Sequence, residues 1–76
     1  MSKYLGLYPV SVHLGSRKDA GLLNRFSTVG GAKTSARSES KKLGKAGGLV
    51  TVFDENGFAL ALYDNGKLVQ SWKPAS

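Results

Sequence analysis

The sequence predicts an α+β domain: a small antiparallel sheet, built from an N-terminal strand and a C-terminal three-stranded meander, with one short helix and a flexible basic segment between them. Asn-Gly pairs at 56–57 and 65–66 punctuate three apolar runs, and both central residues of a type I′ hairpin turn need the positive φ that Asn and Gly tolerate. Apolar residues make up 22 of the 42 positions outside residues 15–48 but only 9 of the 34 inside, so the flanks build the core. A chain of 76 residues without Cys allows one domain held by apolar packing, with no disulfide and no thiolate metal site.

In chain order, residues 1–14 read as a strand from Tyr4 to Leu14. Pro9 lacks the ladder donor and so places that strand at an edge or at a bulge. Ser16-Arg17-Lys18-Asp19 has capping-box spacing, and Leu22, Leu23 and Phe26 then share a helical face, which predicts a helix over 16–27. Residues 28–48 are rich in Gly, Ser, Thr and charge, and only Val29 and Leu43 are large apolar anchors. That composition predicts a flexible basic segment, with a marginal helix over Ala36–Leu43 stopped by Gly44. Residues 49–73 form the meander, with strands at Leu49–Phe53, Phe58–Tyr63 and Lys67–Trp72.

With two-residue turns at both Asn-Gly pairs, Asp64 faces Lys67 as a cross-strand ion pair. Leu49, Thr51, Phe53, Phe58, Leu60, Leu62 and Val69 then share one face of the sheet. Val50, Val52, Ala59, Ala61, Tyr63, Leu68 and Trp72 share the other. Both faces are too apolar to stay wet. A helix covers one, and the N-terminal segment, a second copy in a homodimer, or a target protein covers the other.

The charge is more informative than the core. Residues 15–48 hold eight Lys and Arg against two Asp and Glu, which is the whole formal excess of +6, while the flanks are balanced. Arg17, Lys18, Arg25, Lys33, Arg37, Lys41, Lys42 and Lys45 recur among hydroxyls, a pattern that suits phosphate oxygens and demands no fixed geometry. Residues 27–48 contain no aromatic, so base stacking would have to come from the sheet.

Catalytic motifs are weak by comparison. Thr28-Val29-Gly30-Gly31-Ala32-Lys33-Thr34 resembles a phosphate-binding loop only in composition, because Ala32 stands where Gly should precede Lys. His13 has no Cys partner and no nucleophile elbow nearby. Asp54-Glu55 belongs to a turn, where Asp is favoured for its geometry. No enzyme, cofactor or metal site is expected. The N-terminus has no signal-peptide pattern and no run reaches the roughly 20 apolar residues of a membrane span, so a cytoplasmic protein is expected.

Two functions compete on these grounds. In one, a non-catalytic nucleic-acid-binding module neutralises phosphates through residues 15–48. In the other, a small regulator or inhibitor, similar in size and design to accessory proteins of phages and mobile elements, binds an acidic surface on a host protein machine. It would use the basic arm together with Tyr63 and Trp72 on an apolar sheet face.

Overall fold

The three apolar runs of the C-terminal third form strands close to where the Asn-Gly pairs place them. In a computed structural model, which describes residues 9–44 and 48–72, they are β3 (Leu49–Phe53), β4 (Ala59–Asp64) and β5 (Lys67–Ser71). Asn65 and Gly66 have φ of 53° and 81°. They make the expected two-residue turn, with Asp64 and Lys67 as register partners. No ion pair joins those two side chains among the described residues.

The first turn departs from expectation. Of its Asn-Gly pair only Gly57 has positive φ, at 85°. The Asp54 carboxylate accepts from Asn56 N and Phe58 N, both at 2.9 Å, while Asp54 N donates to Phe58 O. The longer loop shifts the register, so that Phe53 faces Ala59 while Val52 faces Ala61. Leu60 is thus the extra residue of a bulge. It joins Val50, Val52, Ala61 and Tyr63 in one buried cluster rather than the Phe53 face, and Ala59 moves the other way.

The N-terminal strand is β1 (Val10–Leu14), paired antiparallel with β3, and Tyr4–Tyr8 lie outside the described residues. A further strand, β2 (Leu22–Phe26), pairs with its free side. The antiparallel sheet therefore has five strands in the order β2-β1-β3-β4-β5, with β1 interior and Pro9 just before it. The helix expected over 16–27 does not form. Gly15 and Gly21 take φ of 86° and 47°, Leu14 N donates to Gly21 O at 2.8 Å, and a turn closes from Ala20 N to Arg17 O. Four of the five residues, all but Leu23, are in register with β1 and gain a backbone ladder, whereas a short helix containing Gly21 would have to meet its nucleation cost alone.

The segment expected to be flexible is instead ordered as the helix α1 (Val29–Leu43). Thr28 caps it, its hydroxyl accepting from Gly31 N at 3.2 Å. Gly44, with φ of 74°, ends it by donating to Ser40 O. Lys41 and Lys42 in the last turn complement the helix dipole. Its buried face is Ala32, Ala36 and Ser40, each 0 % exposed. These small side chains let α1 pack closely on β1, β3 and β4 over Val12, Val50, Val52, Leu60 and Tyr63. The apolar surface that orders the segment belongs to the sheet, which is why the segment's own composition does not reveal it.

The opposite face of the sheet is also closed at its centre, where Ser11, His13, Thr51 and Phe53 are at most 5 % exposed. The β1–β2 connection folds toward it. Thr51 Oγ1 donates to Gly15 O at 2.7 Å, and the Lys18 side chain lies against Gly57. No helix among the described residues is long and apolar enough to cross a membrane.

Candidate nucleic-acid interface

The cations expected to act as one arm are divided by the sheet. Arg25 on β2 is the register partner of Ser11, so it shares the face that carries His13. Lys18 belongs to the same side, and its charge, like that of Arg25, bears on His13. Arg17 pairs with Asp19 at 3.7 Å with both side chains exposed, a contact of little energetic weight. On the other side of the sheet, α1 carries Lys33, Arg37, Lys41 and Lys42. Lys45 lies outside the described residues.

Helical spacing orders the second set. Lys33, Arg37 and Lys41 recur every four residues and form a stripe along one flank of α1, away from the Ala32–Ala36–Ser40 contact line. Lys42 projects elsewhere and makes an exposed pair with Glu39 at 3.7 Å. The stripe is held in register with the sheet by a clamp on the β4–β5 turn. Arg37 Nε donates to Gly66 O at 3.1 Å, and Ser40 Oγ accepts from Gly66 N at 2.8 Å while donating to Arg37 O. Both backbone groups of Gly66 are thereby satisfied from the helix. The Lys41 stem rests against the same glycine.

The aromatic candidates are not a shared docking face. Tyr63 is 6 % exposed and belongs to the core beneath α1, which corrects its expected role as an interface anchor. Burial pushes its phenol above the usual value, and the Arg37 charge acts the other way. Trp72, just beyond β5, is 39 % exposed. Sequence reasoning missed that Lys67 and Leu68 come to lie near Arg37. Together with Tyr63 and Gly66, these three line an open groove of about 360 Å³ between α1 and β5. Nothing in the spacing of residues 37 and 67 announces that meeting.

Among the described residues, His13 is the one titratable group set deep in the other face. It packs edge-on against Phe53 with ring centroids 5.3 Å apart. Neither ring nitrogen has a hydrogen-bond partner of good geometry. Burial is the main cause that pushes its pKa below the usual value; the Arg25 and Lys18 charges add to it, and the Ala20 backbone and Asp19 offset part of it.

The sign of the pH dependence follows. Below about pH 6.5 the unfolded chain binds a proton that the folded chain resists, so stability, complete above that pH, falls as pH drops and levels off below the folded-state pKa. Free energies of unfolding from urea titrations between about pH 8 and about pH 5 are expected to decline by no more than about 1.4 kcal/mol per pH unit from this group. The His13→Phe variant is expected to lack that component, and a decline unchanged in the variant would assign it elsewhere.

Among the described residues no group of three or more His, Cys, Asp and Glu is gathered in a way that could hold a metal ion. No protein-family model matches the chain, and comparison with curated proteins and with solved structures likewise finds no match.

Proposed function

We propose that this protein is a non-catalytic module that binds a nucleic-acid backbone through the cations of α1. The observation that carries this reading is the Lys33–Arg37–Lys41 stripe with Lys42 beside it, on a helix whose only acid is Glu39. Ser38 sits on the exposed side of the same helix and adds a hydroxyl donor, whereas the Thr34 hydroxyl is engaged with Gly30 O at 3.0 Å. The narrow contact line of small residues leaves most of the helix circumference to solvent, so a phosphate backbone can approach without disturbing the core. Contacts of this kind position a backbone and do not read bases.

Lys18 and Arg25 sit across the sheet and take no part in the same contact. With four α1 cations engaged, log affinity for duplex DNA is expected to fall against log salt with a slope near −3.6. Replacing Lys33, Lys41 and Lys42 together by Ala is expected to bring the slope toward about −1, whereas replacing Arg17 and Lys18 leaves it nearly unchanged. Fluorescence anisotropy over a salt series measures both. Failure to bind duplex, single-stranded DNA and RNA at low salt would overturn the proposal, as would a slope that responds to Lys18 rather than Lys41.

A further inference from the structure

We infer that the groove between α1 and the edge strand β5 takes an extended acidic protein segment, which adds to β5 as a sixth strand and sets a carboxylate against Arg37. The inference stands on its own geometry and not on the phosphate reading of α1. All five residues of β5 are exposed, and among the described residues the strand pairs only with β4. The backbone groups of its outer side are therefore open to a partner that can supply a matching N–H and C=O ladder. A peptide has such a ladder and a nucleic acid does not.

The groove beside that edge supplies the specificity. Its lining of Arg37, Tyr63, Gly66, Lys67 and Leu68 contains two cations and no acid. Because Arg37 Nε is held by Gly66 O, the guanidinium is fixed at the groove, and its terminal nitrogens are left for an incoming carboxylate. Leu68 and Val69, 55 % and 59 % exposed, offer apolar contact to alternate side chains of an added strand. An extended segment that alternates acidic and apolar residues fits both features.

A second copy of the chain fits poorly. Pairing β5 with itself would bring Arg37, Lys41 and Lys67 of two copies to one seam. Lysines beside an edge strand oppose pairing with a second copy, because like charges of the two copies would meet.

The test uses the full isotope-labelled chain and a terminally blocked peptide of alternating Glu and Val, followed by amide shifts and hydrogen exchange. Expected are shifts and new exchange protection at β5 amides that point away from β4, with no binding by the Lys-Val counterpart. The Glu-Val peptide N-methylated at alternate residues keeps its charge but loses its donors, and is expected not to bind. Arg37→Gln is expected to weaken binding by about 10-fold, in line with the loss of one charge-assisted contact.

Equal binding of soluble polyglutamate and the N-methylated peptide, with shifts confined to α1, would overturn the inference by reducing it to charge attraction. So would no binding at all, or concentration-dependent protection of β5 without peptide, which would assign the edge to a second copy. None of these outcomes bears on the salt slope for DNA, so the two readings fail separately.

Discussion

Gly48→Ala is expected to lower the free energy of unfolding by about 3 kcal/mol, at the upper end of the usual cost of overpacking. Gly48 is where the chain comes back against the end of α1 before entering β3. A Cβ there would collide with the carbonyl oxygens of Gly44 and Ser40. Backbone atoms cannot swing aside as a long side chain does, so the end of α1 and the start of β3 would have to separate. That strain falls next to Ser40, whose hydroxyl holds the β4–β5 turn.

Gly30→Ala is the matched control. A Cβ at that position meets nothing within 4 Å, and the change is expected to stabilise the helix by up to about 1 kcal/mol. Urea unfolding followed by circular dichroism measures both. Equal effects at the two glycines would show that the approach of α1 to β3 is looser than described.

Leu60→Ala is expected to cost about 3 kcal/mol, within the 2–5 kcal/mol found for large-to-small changes in cores. The buried cluster is otherwise composed largely of Val and Ala, and Leu60 is the largest of the fully buried side chains. Its neighbours in α1 are Ala32 and Ala36, which are too small to refill the space. A domain of this length has about 4–11 kcal/mol in total, so the variant is expected to be partly unfolded in moderate urea. Phe58→Ala provides the contrast. Phe58 is larger but 56 % exposed in the turn before β4, and its loss is expected to change stability by less than about 0.5 kcal/mol. A Leu60 variant as tolerant as the Phe58 variant would contradict the bulge that turns Leu60 into the core.

The meander was legible because its signals are local. Asn65-Gly66 adopts the positive φ values its residue types favour, and the apolar runs on either side have nowhere to go but a sheet. Asn56-Gly57 carries the same dipeptide, yet Asp54 competes as a local acceptor and lengthens the loop. One side-chain hydrogen-bond system thereby changed which face receives Leu60.

The middle of the chain hides its structure for the opposite reason. Leu22, Leu23 and Phe26 fit a helical face and an edge strand about equally well, and the unpaired side of β1 decided between them. Residues 29–43 lack large apolar side chains, but a helix of Ala32, Ala36 and Ser40 needs none when an apolar sheet lies directly beneath it. The candidate site shares this history. The eight cations were visible as composition, while the separation by the sheet of Lys18 and Arg25 from Lys33, Arg37, Lys41 and Lys42, and the pairing of Arg37 with Gly66, depend on contacts between residues far apart in the chain.

By itself, the sequence determined the antiparallel meander, the α+β class, and the concentration of positive charge between two apolar flanks. These are properties of turn chemistry and of counts, and they need no partner segment to act. Tertiary structure alone decided that residues 22–26 are a strand, that residues 29–43 are a helix, and that the basic residues lie on two opposite sides. The physical reason is one of supply. Segments poor in apolar surface take the conformation that lets a neighbouring element complete their hydrogen bonds and burial, and the identity of that neighbour is a property of the whole fold.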